Sequence, residues 1–517
     1  VFAPHFVKEP HTVSLLSFRL GPFALIVLAG VLAAPLPAAA RPGPDGFADL
    51  AAKLLPAVVN ISTTQTAKAD TGSGEHTRPD MPQFAPGSPF EEFFKNFFDH
   101  QGDHGGEQGK PQAETRRTTS LGSGFIIDST GYVVTNNHVI NDADEITVIL
   151  HDNTNLKATL VGRDTKTDIA VLKIDAHEPL TAVTWGDSDA ARVGDWVLAI
   201  GNPFGLGGTV TAGILSARQR DINSGPYDDF LQTDASINRG NSGGPMFNMD
   251  GQVIGINTAI YSPSGGSIGI GFAIPSSMAK EVVNELIHEA DHTVHRGWLG
   301  VRIQAVTDEI GESLGLDKAR GALVASVNDK GPAQLGGIEP GDIILTFDGK
   351  TVDDMRHLPR LVAETPVDKT VDVTVWRKRK EVTLKVKLGR LSETETASAN
   401  DQDKSQDKGK PPKPEAAAVN ALGLTLSNIT PALKEKFTLA DDAKGVVVVD
   451  VGKDSAAGEK GIKPGDVIME VAQEEIQTTS QVTARIDAAK KSGRKSILLL
   501  VQRQGDLRFV ALRLDQS

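Results

Sequence analysis

Gly240-Asn241-Ser242-Gly243-Gly244-Pro245 is the stretch on which the reading of this chain turns. It lies between β-like runs, so its serine does not sit at a strand-to-helix elbow. The flanking glycines let the backbone turn sharply and aim successive N–H groups at one point. A serine hydroxyl is a poor nucleophile until a base takes its proton. Ser242 is therefore a candidate nucleophile, and Gly240, Asn241 and Ser242 form a candidate oxyanion hole. The amides of Gly240 and Ser242 are the pair that could converge on a developing charge, where losing one donor typically costs roughly 3 kcal/mol.

Activating that hydroxyl requires a base on a tight turn at a strand end. Thr135-Asn136-Asn137-His138-Val139-Ile140 fits. The acid that orients the base belongs at the start of a buried strand, and Thr167-Asp168-Ile169-Ala170-Val171-Leu172 places a carboxylate directly before an apolar run. A carboxylate beside so much apolar sequence requires a partner, and His138 Nδ1–H supplies one. The order His138, Asp168, Ser242 is the chymotrypsin order, not that of subtilisin or the α/β-hydrolases. Each segment alone is a common pattern; together, in order and in a β setting, they point to one catalytic triad.

Short β-branched runs separated by turns surround these residues, among them 124–127, 132–135, 146–150, 169–174, 196–200 and 253–256. Such spacing predicts an all-β barrel or sandwich. Pro275 and Ser276 then open a helix whose apolar face carries Met278, Val282, Val283, Leu286 and Ile287. This helix closes the first domain. Beyond it lies an internal repeat: Gly337-Ile338-Glu339-Pro340-Gly341-Asp342-Ile343-Ile344 recurs as Gly461-Ile462-Lys463-Pro464-Gly465-Asp466-Val467-Ile468. Leu299-Gly300-Val301 is matched by Leu422-Gly423-Leu424. Two copies of one small domain follow, too few for a solenoid. Between them, residues 392–415 are polar and charged, cannot bury enough surface to offset chain entropy, and read as a flexible tether.

At these residues the chain resembles the HtrA family, in its Do (DegP-like) branch. The three segments around His138, Asp168 and Ser242 carry the likeness. Asn202-Pro203-Phe204-Gly205 and Gly269-Ile270-Gly271-Phe272-Ala273-Ile274-Pro275 are similar to further family segments, and the duplicated unit resembles two PDZ domains. The resemblance runs from about Phe47 onward. It implies a mainly β chain, with a chymotrypsin-like double β-barrel protease domain followed by two α+β PDZ domains. The implied division is a signal peptide over 1–40, the protease domain over 41–290, a first PDZ domain over 291–390, a linker over 391–417 and a second PDZ domain over 418–517. It also implies an ATP-independent serine endoprotease acting on unfolded or damaged envelope proteins, C-terminal peptides as PDZ partners, and a homo-oligomer built from trimers.

The same resemblance places Thr258-Ala259-Ile260-Tyr261-Ser262 where chymotrypsin-like proteases pair with substrate backbone, a mode that leaves sequence demands loose. Ile268 and Ile270 follow, with no acid in 267–274, so an apolar primary pocket for small aliphatic residues is expected; the alternative is that both face the barrel core. It places the PDZ carboxylate loops at Trp298-Leu299-Gly300-Val301 and Leu422-Gly423-Leu424. The helix over 353–364, with Met355, Leu358, Leu361 and Val362, is the groove wall, or else these residues are core. The first copy is the better candidate binder and regulator. In the second, Asp348-Gly349 becomes Ala472-Gln473, and a docking or assembly role is equally open.

Composition narrows the remaining classes. The 517 residues suit about three domains. A formal net charge of -13 argues against binding nucleic acid by phosphate neutralisation. With no cysteine there is no thiol nucleophile, thiolate metal site or disulfide. No HExxH occurs, and Gly205-Leu206-Gly207-Gly208 lacks the P-loop lysine, so no metal or cofactor is expected. Arg19, the apolar run 23–34 and Ala38-Ala39-Ala40 read as an export signal cleaved before Arg41. The proline-broken run is short for a spanning anchor, the alternative. The expected location is the periplasm. Residues 65–119 form a long loop, in the position of the family's regulatory loop, interrupted by Phe90, Phe93, Phe94, Phe97 and Phe98. That island reads as a local helix packed on its own domain, with a partner site as the alternative. A chaperone or scaffold on the same fold is the competing function, and an esterase is disfavoured by the paired PDZ-like units.

Overall fold

The computed structural model describes residues 46–67, 116–201, 208–238, 240–263, 266–392, 417–419, 422–440 and 442–514. The export signal, the phenylalanine island, Asn202–Gly205 and nearly all of the 392–415 stretch lie outside the described residues. The chain divides into Val1–Ala51 and Ala52–Ser517. In the first, Ala51 N donates to Phe47 O as helix α1 (Ala48–Leu54) begins. The second carries every other element.

Its first barrel contains β1 (Val58–Ala67), β2 (Arg116–Asp128), β3 (Tyr132–Asn136), the short helix α2 (Asn137–Ile140), β4 (Glu145–Ile149), β5 (Asn155–Asp164) and β6 (Ile169–Ile174). The strands close antiparallel in the order β1-β2-β3-β6-β5-β4. Two-residue periodicity fills it: in β4, Ile146 and Val148 point inward while Glu145 is exposed. The second barrel contains β7 (Trp196–Gly201), β8 (Thr209–Arg220), β9 (Phe230–Thr233), β10 (Pro245–Phe247), β11 (Val253–Ile260) and β12 (Gly271–Pro275), closed in the order β10-β11-β12-β9-β8-β7. Helix α3 (Ser276–His288) buries Ala279, Val282, Val283 and Leu286 against strands of both barrels, leaving Met278 and Ile287 half-buried. Its 3.6-residue apolar face is the one the sequence predicts.

The first α+β unit runs β13 (Gly297–Trp298), β14 (Val301–Ala305), α4 (Asp308–Leu314), β15 (Ala322–Val327), α5 (Pro332–Leu335), β16 (Ile343–Phe347), β17 (Lys350–Thr351), α6 (His357–Ala363), β18 (Thr370–Arg377), β19 (Lys380–Lys387) and β20 (Gly389–Arg390). Its sheet has the order β14-β15-β16-β18-β19, with β14 at an edge. The second unit runs β21 (Ala417–Val419), β22 (Leu424–Asn428), α7 (Pro431–Phe437), β23 (Val446–Val451), α8 (Ala456–Glu459), β24 (Val467–Val471), β25 (Glu474–Glu475), α9 (Thr479–Lys491), β26 (Ser496–Arg503) and β27 (Asp506–Arg513). Here the edge equivalent to β14 is covered, because β21 pairs antiparallel with β22 from Ala417–Leu426 to Val419–Leu424.

The duplicated Pro-Gly-Asp has a structural role. Asp342 and Asp466 are each 1% exposed and take Arg377 Nε at 2.7 Å and Arg503 Nε at 2.6 Å. The hairpin turn at Asp348-Gly349 survives as Ala472-Gln473, both left-handed with φ of 56° and 65°. The two units share one apolar cluster, in which Ile310, Leu314, Leu323 and Ile343 of the first meet Leu498, Leu500 and Phe509 of the second. Gln304 seals its edge, donating to Phe509 O at 2.7 Å and accepting from Phe509 N at 3.0 Å. A tether between the units does not suggest this docking. Among the described residues no helix is long and apolar enough to cross a membrane.

Candidate active site

The triad candidates arrive from three places in the two barrels. His138 lies in α2, immediately after β3, and is 4% exposed. Asp168 ends the β5–β6 hairpin with a left-handed φ of 57°. That conformation is costly for a residue with a Cβ and persists only where surroundings impose it. The Asp168 carbonyl accepts Asn137 N at 3.0 Å and Asn136 Nδ2 at 2.8 Å. Its carboxylate accepts His138 N at Oδ1, 2.8 Å, and faces His138 Nδ1 across 2.6 Å at Oδ2. One residue is thus clamped at both its backbone and its side chain, and the imidazole is held in a single orientation.

Ser242 stands on the turn before β10. Ser123, from β2 of the other barrel, holds this turn: Ser123 N donates to Ser242 O at 2.9 Å, and Ser123 Oγ donates to Gly240 O at 2.6 Å. Thr135 Oγ1 donates in turn to Ser123 O at 2.8 Å. Gly243 has φ of 85°, and a Cβ there would lie 2.2 Å from Ser123 O and 2.3 Å from Thr135 Oγ1. The glycine is therefore demanded both by its dihedral and by the approach of the first barrel. The amides of Asn241, Gly243 and Gly244 are committed to Asn238 O, Asn257 O and Asn241 O. Among the described residues, those of Gly240 and Ser242 have no acceptor. They are the amides the sequence singles out for an oxyanion.

The Ser242 hydroxyl donates to Thr258 O at 3.4 Å. Thr258 is also tied to Asp168, its Oγ1 donating to Oδ2 at 2.9 Å. The sequence reading takes Thr258 only as part of a substrate-pairing strand and misses this role; nothing in the local pattern signals a contact between residues 90 positions apart. Ser123 is missed too, although its place between Gly122 and Gly124 in a strand is a readable sign of close backbone approach.

The rest of the expected substrate strand is mixed. β10 and its turn pair with β11 as far as Asn257. Ala259 and Ile260 pair with β12 and are buried, and Tyr261 N donates to Ile270 O at 3.0 Å. Ser262 Oγ donates to Gly266 O. Ile270 packs on the second barrel's core, whereas Ile268 is 51% exposed.

Behind Asp168 lies a small cavity lined by Thr167, Asp168, Tyr227, Asp228 and Met278. The Asp228 carboxylate accepts Ile222 N, Ser224 N and Ser224 Oγ, shaping the 221–229 loop. Burial, opposed by these hydrogen bonds, pushes its carboxyl up to about 6. Burial also raises the Tyr227 phenol.

In the first α+β unit, Leu299 O and Gly300 O accept Ala333 N and Asn328 N, so these carbonyls face into the domain. Gly300 has φ of 76°, and a Cβ on it would stand 3.3 Å from the Trp298 ring. Leu358, Leu361 and Val362 of α6 fill the unit's core, which is the alternative to a groove wall. In the second unit Leu422 and Leu424 are core residues, and a Cβ on Gly423 would collide with Ser455 Cβ at 2.1 Å. The first unit also touches the second barrel, with Arg356 Nη1 donating to Asp221 Oδ2 at 3.1 Å and Arg360 paired with Asp229.

Comparison with known proteins agrees with this architecture. The trypsin-like peptidase domain family matches residues 122–256, and the PDZ domain family matches 297–388 and 420–514. A probable periplasmic serine endoprotease DegP-like of Brucella suis biovar 1 (strain 1330) is 46% identical over 485 residues, 92% of this chain and 91% of that protein. Its counterpart in Rhizobium meliloti (strain 1021) is 44% identical over 484 residues, covering 92% and 93%. Among solved structures, the HtrA-type protease AlgW with decapeptide is 42% identical with a TM-score of 0.53, covering 67% of this chain and 99% of that one.

Proposed function

This chain belongs to the DegP-like branch of the HtrA-type serine endoproteases, and on that premise we propose that His138, Asp168 and Ser242 perform its peptide hydrolysis through an acyl-enzyme. The observation that carries this reading is the clamped His138–Asp168 pair beside a serine turn whose Gly240 and Ser242 amides are uncommitted. Asp168 keeps the Nδ1 proton, so Nε2 is the basic nitrogen. The Ser242 hydroxyl swings from Thr258 O toward Nε2, loses its proton and attacks the substrate carbonyl. The Gly240 and Ser242 amides receive the oxyanion. His138 then protonates the leaving amine, and water repeats the sequence on the acyl-enzyme. No nucleotide or metal enters these steps.

The substrates are unfolded or damaged envelope proteins, a reading that rests on the family resemblance; the site of action is the periplasm, which the names of the relatives and the export-like N-terminus support. Extended chains dock along Thr258–Ser262, with Ile268 and Ile270 beside the primary pocket. C-terminal peptides add to the edge of β14 below Trp298–Val301, which pairs with no further strand among the described residues; the decapeptide held by AlgW supports a peptide as the ligand class. The covered edge of β22 and the docking through Phe509 suit the second unit to assembly within a trimer-based oligomer. Casein digestion by wild type and Ser242→Ala tests the triad. Loss of cleavage in a folded Ser242→Ala protein, with no effect of chelator or ATP, is expected; substantial residual proteolysis by that variant overturns the assignment.

A further inference from the structure

The turn that presents Asp168 is itself held by a buried ion pair. Arg296 and Asp164 are each 7% exposed. Arg296 Nη1 donates to Asp164 Oδ1 at 3.0 Å, and Nη2 donates to Oδ2. Asp164 is the last residue of β5 and pairs with Ile169, so residues 165–168 are the loop of that hairpin. The same Oδ2 accepts Thr167 N at 3.1 Å and also Thr167 Oγ1. Thr167, only 9% exposed, immediately precedes the left-handed Asp168. The Arg296 guanidinium carbon lies over the Tyr227 ring, 4.9 Å from its centroid.

Two charges taken out of water gain little stability over an apolar pair of similar volume, so their retention needs a reason beyond stability. Here the reason is geometric. Asp164 is the only described side chain that bonds the residue before Asp168 from within the hairpin, and Arg296 fixes that carboxylate through a planar two-point contact. Arg296 also precedes β13, and its carbonyl accepts Leu391 N at 3.0 Å, so the guanidinium is anchored from outside the barrels.

We infer that Arg296 and Asp164 are positioning residues for the reaction, acting through Thr167 to hold Asp168 where it orients His138. The inference rests on the triad reading above. A misplacement near 1 Å at a catalytic group can cost roughly 100-fold in rate, so the pair acts on turnover and not on substrate capture.

The test uses the full-length chain with Arg296→Met, Asp164→Asn and Arg296→Lys. Each is assayed for kcat and KM on a peptide too short to engage the α+β units, for the rate of Ser242 labelling by diisopropyl fluorophosphate, and for melting temperature. Arg296→Met and Asp164→Asn are expected to lose about 10- to 100-fold in kcat with KM within about 2-fold, and to slow labelling in parallel. Arg296→Lys, which keeps the charge but not the two-point geometry, recovers part of the loss. If Arg296→Met does not fold, Asp164→Asn/Arg296→Gln, which leaves no unpaired buried charge, replaces it with the same expectations. A folded variant with unchanged kcat and labelling, or a loss confined to KM, overturns the inference. An active Ser242→Ala protein would instead overturn the triad; an inert Ser242→Ala beside an unaffected Arg296→Met removes only this proposal.

Discussion

Replacing Asp168 by Asn probes the site through a change of one atom. In the native arrangement Oδ1 accepts the His138 backbone amide at 2.8 Å, and Oδ2 takes both His138 Nδ1–H at 2.6 Å and the Thr258 hydroxyl at 2.9 Å. Asparagine offers one acceptor oxygen. If its NH2 faces the His138 backbone amide, two donors meet and a buried hydrogen bond is lost, costing about 1–3 kcal/mol. The opposite rotamer keeps the amide bond, and the Thr258 hydroxyl rotates to accept from the NH2. The NH2 then also faces Nδ1, which must become the acceptor. The imidazole proton moves to Nε2, the nitrogen that has to receive the Ser242 proton. The fold is thus preserved while the base is placed in the wrong tautomer. In the serine-protease template this change costs roughly 10,000-fold in kcat, or about 5 kcal/mol of barrier. The assay is kcat on a short quenched peptide at pH 7, alongside a thermal melt. A folded Asp168→Asn protein within tenfold of wild type would mean that Asp168 does not control the tautomer of His138.

Two other outcomes follow from the packing. The Asp228 carboxyl is pushed up to about 6, above its unfolded value, so the folded chain holds this proton more tightly. That contribution is full below pH 4 and is lost as pH rises through 6; relative to Asp228→Asn, wild type should lose up to about 3 kcal/mol across that window in urea titrations at stepped pH, and parallel titrations would contradict it. Phe509→Ala opens a hole in the cluster shared by the two α+β units and should cost about 3–5 kcal/mol. Calorimetry should then resolve separate melting of the second unit, and an unshifted thermogram would show that the docking carries little energy.

Much of this protein was legible in the chain itself. The alternation of Ile146 and Val148 with polar neighbours, the helical face of Val282, Val283 and Leu286, and the recurrence of Pro-Gly-Asp at 342 and 466 are local patterns. They report burial and turns within a few residues, and they suffice for the fold class. The serine turn, His138 and Asp168 stand out as candidates because the proposed chemistry demands particular neighbours in sequence: glycines around the nucleophile and an apolar strand after the acid. Even the need for glycine at 243 is a local dihedral, although its second cause, the approach of Ser123 and Thr135, is not.

What those residues lean on comes from distant segments brought together by the fold. Thr258 meets Asp168 across 90 positions, Ser123 meets Gly240 across 117, and Arg296 meets Asp164 across 132. No periodicity encodes such pairs, because a hydrogen bond between distant segments depends on how two closed barrels and a following segment come together. The same holds for the apolar residues of α6, which the sequence leaves open between groove and core and packing assigns to the core. The docking of Phe509 against Ile310 and Leu314 is likewise a property of two faces meeting, invisible in either copy of the repeat alone.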